Sequence, residues 1–471
     1  MTEPLHYPKP LHHELDQEQL EDLLNWCVAQ NASDIVLCPD DQVWLQKDGQ
    51  WHAVTDSCLT DAEVQYMVNL TSGQSNRAGY VRAGHSLDYA FGLRVPGERS
   101  LRQRFRVNAT SSNKGLYVVL RVLPRELPRL EDMNLPKELV EALYPDAGLV
   151  VVSGVMGSGK STLLAAALHK AVLAGGLGRQ ILTLEDPVEF DFSVIPHQAR
   201  SAPITQSAIG VDVESWSMGV RSLTRRKGEV VMVGECRDKE TITSLLSTVE
   251  QGVTAYTTVH AQDVPQTLTR LIHLFPEEER DGAMAVLFAN SRLLIHQRLV
   301  PSNKRPSTAQ TSSRDFRQQP QYGRCALREY LIVDKDVRTL LHTLPAHRLI
   351  EELRELVRQR GHSLSLDART AWQNGLIGDD VLLAVVREQE GDAAAGDLLA
   401  RRKAAEKRGY APRPAAKDQP SVSPQAPYPA GCRQPRQAAF MPGMGGMGPG
   451  RRQHPMPGAP AAQNQPKQDR H

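Results

Sequence analysis

The eight residues Gly154-Val155-Met156-Gly157-Ser158-Gly159-Lys160-Ser161 constrain this chain most, because they follow the apolar run 149–153 directly and open a stretch with helical patterning. A strand, a glycine turn and a helix in that order form a loop whose backbone amides curl round phosphate oxygens, with the helix N-terminus adding a favourable dipole. Gly154, Gly157 and Gly159 permit the turn, and Ser158 lies within it. Lys160 is placed to reach β- and γ-phosphates, Ser161 to offer its hydroxyl to Mg²⁺, and Thr162 to make a further nucleotide contact. A nucleoside triphosphate site follows, and the motif by itself allows adenosine or guanosine.

Such a loop needs a sheet around it. The runs 149–153, 181–185, 230–234 and 253–258 are short, continuous and hydrophobic, with helical stretches such as 162–173 and 239–250 between them. That alternation predicts a parallel α/β sheet buried on both faces. Sites in such sheets gather at the carboxyl ends of the strands. Three of those ends carry chemistry here. Glu235 closes the run 230–234 and is placed to hold Mg²⁺, partly through water; Glu185, Asp186 and Glu189 cluster after 181–184; His260 ends the fourth run.

Before the loop, Leu20, Leu23, Leu24, Cys27 and Val28 repeat with helical spacing, and from Asp34 to Arg121 short runs rich in Val, Trp, Tyr and Phe alternate with turns. We read residues 1–122 as an N-terminal α+β domain, 123–136, with Pro124, Pro128 and Pro136, as a linker, and 137–390 as the phosphate-loop domain. Segments 264–275 and 280–298 are expected to be helical, 301–324 a mobile loop, 327–333 a strand, and 346–360, 366–374 and 379–390 helices. Residues 391–471 are read as a low-complexity basic tail, in which an alanine-rich charged run after Gly391 is a helix candidate and the Pro-, Gly-, Gln- and Met-rich composition from Pro412 onward is expected to lack a core.

The formal net charge of +1 hides an asymmetry: residues 412–471 carry eight basic against two acidic residues, a net +6, and the rest carries −5. No apolar run approaches the roughly 20 residues that a membrane helix needs. The six cysteines, Cys27, Cys38, Cys58, Cys236, Cys325 and Cys432, lie far apart without ligand spacing, which gives a zinc site no support.

The phosphate loop, residues 181–190, Val233-Gly234-Glu235-Cys236-Arg237-Asp238 and residues 256–260, in this order, resemble the secretion ATPase superfamily that includes the pilus retraction ATPases. Ala32-Ser33-Asp34-Ile35 and Arg104-Phe105-Arg106-Val107-Asn108 resemble its N-terminal domain, and Leu327-Arg328-Glu329-Tyr330-Leu331 resembles the DotB/TraJ branch of type IVB secretion and conjugation. The resemblance spans about residues 15–390. It implies a sensor-like N-terminal domain linked to a RecA-like domain that hydrolyses ATP with Mg²⁺, a homohexameric ring, a cytoplasmic place beside inner-membrane secretion or conjugation components, and a coupling protein as a partner. Direct nucleic-acid contact is left open. By the same resemblance Glu189, or next Glu185, orients water, Glu235 serves Mg²⁺, His260 senses the γ-phosphate, and Arg104, Arg106 and Arg121 approach the nucleotide. Arg221 and Arg225 match two further family arginines. Departures occur at Arg226-Lys227-Gly228-Glu229, where an arginine, an acid and Asp-Pro-Asp are commoner, at Gln251-Gly252-Val253 for Thr-Gly-His, and at Ala261 for Thr.

Overall fold

The computed structural model describes residues 5–10, 15–47, 49–95, 98–303, 323–344 and 348–407. The basic tail 412–471 and residues 304–322 of the expected mobile loop lie outside the described residues.

The N-terminal part begins with α1 (Gln17–Ala29), capped by Asp16, whose carboxylate accepts from the Gln19 N–H. Its stripe of Leu20, Leu23, Leu24, Cys27 and Val28 is buried as the spacing predicts. There follow β1 (Asp34–Leu37), β2 (Trp44–Lys47), β3 (Gln50–Ala53), α2 (Asp61–Ser72), α3 (Arg77–Arg82), β4 (Leu87–Val95), β5 (Glu98–Ser112) and β6 (Gly115–Val122). The strands form one antiparallel sheet in the order β3-β2-β1-β6-β5-β4. Helices α2 and α3 were not read from the residues, although Thr60-x-x-Glu63 is a reciprocal capping box and marks the start of α2. Along β5, Phe105 and Val107 enter the core, so strand alternation turns Arg104 and Arg106 to the other face.

Residues 123–136 leave this sheet without becoming free chain. The Leu123 N–H donates to the Arg104 carbonyl at 2.9 Å, and Leu130 is buried in the core of the next sheet. Then come α4 (Lys137–Ala142), β7 (Gly148–Ser153), α5 (Lys160–Val172), β8 (Ile181–Glu185), β9 (Ile204–Ala208), α6 (Trp216–Arg225), β10 (Val230–Val233), α7 (Lys239–Glu250), β11 (Thr254–Val259), α8 (Val264–Ile272), α9 (Arg280–Asn290), β12 (Ser291–Pro301) and β13 (Arg324–Ile332). The order is β13-β12-β7-β11-β10-β8-β9, parallel throughout except for the edge strand β13. Both faces are covered, as continuous apolar strands require: Leu149 and Val151 pack into one core, Val150 and Val152 into another.

One expectation fails here. The segment 280–298 is not a single helix; α9 stops at Asn290 and β12 begins at Ser291. Leu293, Leu294 and Ile295 are all fully buried because β12 lies between β7 and β13, and a continuous apolar run does not distinguish a buried strand from a buried helix. The C-terminal helices are α10 (Lys335–Thr343), α11 (Leu349–Arg360), α12 (Leu364–Gln373), α13 (Asp379–Glu390) and α14 (Asp392–Lys407). Helices α12 and α13 share a small core with Val300 of β12 and Leu327 of β13.

Candidate active site

The loop between β7 and α5 has the backbone that its glycines allow, with φ of +151° at Gly154, +74° at Gly157 and +85° at Gly159. No side chain caps α5, so its first amides remain available to an anion. A Cβ added at Gly157 would meet nothing within 4 Å, whereas one at Gly154 or Gly159 would strike Gln297. Lys160 is 8% exposed and donates through Nζ to the carbonyls of Gly154 at 2.9 Å and Val155 at 3.0 Å. Burial lowers the Lys160 pKa from the usual lysine value, while Glu235 and Glu189 pull it back. The ammonium is therefore held against its own loop, facing two carboxylates.

Beside it opens a cleft of about 220 Å³, lined by Gly157 from the loop, Lys160 and Ser161 from the start of α5, Glu185 from the end of β8, Asp186 and Glu189 from beyond it, Glu235 and Arg237 from beyond β10, His260 from beyond β11, and Arg106 from β5. Parallel strands in register explain the convergence: Val233 pairs with Leu184 on one side and Thr257 on the other, so three strand ends stop at one level. The carboxylates differ in setting. Glu185 is 9% exposed and its Oε1 accepts from Thr183 Oγ1 at 2.6 Å and from Gln206 Nε2 at 2.9 Å; burial raises its pKa above the usual glutamate value. Glu235 forms an ion pair with Arg237 at 2.9 Å and lies 3.7 Å from His260 Nε2. His260 has a lowered pKa, first through burial and then through the nearby Lys160 charge, so its imidazole is neutral at pH 7.

The three arginines of the N-terminal sheet separate. Arg104 reaches across to the acidic loop, donating to the carbonyls of Val188 at 2.7 Å and Glu189 at 3.5 Å, and Arg106 lines the cleft. Arg121 is the in-register neighbour of Arg106 on β6, yet its Nε is taken by Asp34 of β1 at 2.8 Å and it is not among the residues that line the cleft. Thr162 points elsewhere too, into a second cavity of about 780 Å³ between residues 132–136, β12, β13 and α12. Ser158 is buried beneath the loop, and Arg221 and Arg225 are exposed on α6. Residue-by-residue reading missed Gln206, which ties β9 to Glu185, and Gln297. The strand β9 carried too few apolar residues to stand out, and Gln297 lay in a segment taken for helix.

The residues fit a magnesium–nucleotide pair. Among the described residues no three acidic, histidine or cysteine side chains come together as a complete metal site, while Ser161 and Glu235 supply hard oxygen donors on one cleft. That suits a cation which keeps waters and shares its shell with phosphate oxygens.

A parallel sheet with this loop after β7 and a separate N-terminal sheet is the fold of a RecA-like, phosphate-loop ATPase with a sensor-like N-terminal domain. Comparison with known families places it further: the chain belongs to the family described as type II/IV secretion system protein, which matches residues 18–377. It is 30% identical over 330 residues to the uncharacterized protein YggR of Escherichia coli, covering 70% of this chain and 91% of YggR. It is 30% identical over 281 residues to the type IV pilus retraction ATPase PilT of Pseudomonas aeruginosa, covering 60% of this chain and 78% of PilT. The X-ray structure of the Legionella pneumophila ATPase DotB superposes with a TM-score of 0.67 at 31% identity, over 82% of this chain and 99% of DotB. No helix among the described residues is long and apolar enough to cross a membrane.

Proposed function

We propose that this chain is a Mg²⁺-dependent ATPase that assembles as a homohexamer and powers a type IVB-like conjugation or secretion apparatus at the inner membrane, with plasmid transfer as its first assignment. The observation that carries the ATPase assignment is the convergence of Lys160, Glu189, Glu235 and Arg106 on one cleft beside an uncapped helix N-terminus. Likeness to DotB supports the branch.

In this reading the loop amides and Lys160 hold the phosphates, and Lys160 leaves the Gly154 and Val155 carbonyls to do so. Ser161 and Glu235 would hold Mg²⁺, which neutralises charge developing on the phosphoryl oxygens. Glu189 orients the attacking water, since Glu185 is buried and already held by Thr183 and Gln206. Neutral His260 donates its ring N–H to the terminal phosphate without adding charge. Arg106 approaches from the N-terminal sheet, so its stabilisation of the transition state depends on how that sheet sits over the cleft.

Lys160→Ala should abolish ATP hydrolysis and plasmid transfer; near-normal turnover would sink the enzyme assignment. The same variant scored for twitching motility separates a second reading, pilus retraction, which the likeness to PilT supports: loss of motility with transfer intact would select it. An adaptor working through the basic tail predicts the reverse ranking, with function surviving Lys160→Ala and lost on deleting residues 412–471.

A further inference from the structure

Gln297 stands where β12 passes the end of β7: His296 is in register with Ser153, and the next residues on the two strands are Gln297 and Gly154. Both polar ends of Gln297 are engaged there. Its backbone oxygen would lie 2.3 Å from a Cβ at Gly154, and its side-chain Nε2 would lie 2.8 Å from a Cβ at Gly159. That same Nε2 donates to the Ser158 carbonyl at 2.7 Å, and the residue is 3% exposed. One residue therefore abuts both ends of the phosphate loop, its backbone at Gly154 and its side chain at Ser158 and Gly159, and two of the loop's glycines are needed for its approach as well as for their positive φ.

A terminal amide can present either its NH₂ or its oxygen to a partner. Here the choice is forced from the far side. Arg328, directly opposite Gln297 on β13, donates from Nε to Gln297 Oε1 at 2.9 Å, and arginine has no acceptor, so the NH₂ must face Ser158. Arg328 is 7% exposed; its Nη1 donates to the Met133 carbonyl at 3.4 Å, and the nearby Asp367 carboxylate offsets part of the cost of burying its charge. Burying a cation is costly even so, and an apolar cross-strand pair would close a sheet edge more cheaply. The Arg328 backbone is fixed in turn, its N–H donating at 2.8 Å to Asp367 Oδ2 on α12, while Asp367 Oδ1 lies 3.1 Å from His362 Nε2.

The consequence for the loop follows from peptide geometry. A trans peptide directs its C=O and N–H to opposite sides. Holding the Ser158 carbonyl toward Gln297 therefore aims the Gly159 N–H away from β12, free for a phosphate oxygen. We propose that Gln297 is a positioning residue for the nucleotide phosphates, held in a single amide orientation by Arg328, and that through Asp367 this pair ties the C-terminal helices to the phosphate loop. The proposal rests on the ATPase reading above.

The test is steady-state ATP hydrolysis by the full chain, with thermal unfolding of the nucleotide-free protein alongside. Gln297→Glu keeps the volume and the bond to Arg328 but sets an oxygen against the Ser158 carbonyl. It should lower kcat/KM at least about tenfold, the order of one misplaced hydrogen bond, with the unfolding midpoint moved by no more than about 3 °C. Gln297→Asn, too short to reach Ser158, carries the same expectation should the first variant fold poorly. Arg328→Met with Gln297→Met should cost little more than the worse single variant, because both break one unit. Unchanged kcat and KM in Gln297→Glu, additive losses in the double variant, or a loss that tracks a fallen midpoint would each overturn the proposal while leaving the ATPase reading intact. A wild-type chain that neither binds nor hydrolyses ATP would overturn both.

Discussion

Two glutamates compete for one role, and the structure predicts different fates for them. Glu185, the last residue of β8, and Glu189, on the loop after it, stand four residues apart, and both line the cleft. In Glu185→Gln the amide oxygen can occupy the Oε1 position and keep accepting from Thr183 and Gln206, and burial already works against the charge that the substitution removes. Stability should then change by less than about 1 kcal/mol and kcat by less than about threefold, which is under 1 kcal/mol of barrier. Glu189→Gln leaves a side chain of the same size that can no longer draw a proton from water. The expected loss in kcat is about 10²- to 10⁴-fold, roughly 3 to 5 kcal/mol of barrier. Nucleotide affinity should hold, because in the proposed reading the loop and Lys160, not Glu189, grip the phosphates. The assay is phosphate release under saturating ATP, paired with equilibrium binding of a fluorescent ADP analogue. A reversed ranking, with Glu185→Gln inactive and Glu189→Gln active, would refute the reasoning, and so would equal loss of binding and turnover in Glu189→Gln.

Other predictions follow from the geometry around the cleft. Arg104→Ala removes charge-assisted bonds to the Val188 and Glu189 carbonyls, worth about 1.5 kcal/mol for a partly exposed group; it should lower kcat about tenfold, and unchanged kinetics would show that the contact does not position the acidic loop. Glu329 is 6% exposed, and burial pushes its pKa up to about 7 while its carboxylate accepts from the Val264 N–H at 2.8 Å. A folded-state pKa above the unfolded value of 4.5 means that the folded chain holds an extra proton in that window. Stability should therefore fall as pH rises from about 4.5 to 7, by an amount on the order of 3 kcal/mol. Glu329→Gln should flatten that part of the profile in urea unfolding, and an unaltered slope would count against it. His260 is neutral at pH 7, so its titration should affect turnover only below the ordinary imidazole value of 6.5. A His260-dependent step in the rate profile above that pH would contradict its burial.

Much of the site was legible in the residues because its chemistry is local. A phosphate loop is eight consecutive residues, and Glu235 and His260 announce themselves by ending hydrophobic runs. The N-terminal sheet was legible in outline, but α2 and α3 were not, since their polar faces dilute the apolar signal between strands. Arg104, Arg106 and Arg121 entered together by resemblance, and their side chains part company in space. Arg104 and Arg106 face the acidic loop and the cleft, while Arg121, beside Arg106 in register, is held by Asp34.

The sequence by itself determined the phosphate loop, the parallel sheet around it and the order in which its acids appear, because these depend on spacing within a few residues or on runs of one residue class. Only the tertiary structure decided which glutamate is buried and which lies toward the lysine, and that Gln297 and Arg328 meet beside the phosphate loop. Ser158 and Gln297 lie 139 residues apart, and the hydrogen bond between them exists because β12 inserts beside β7. No periodicity records such a partner, since sheet order is settled by packing across both faces of the whole sheet.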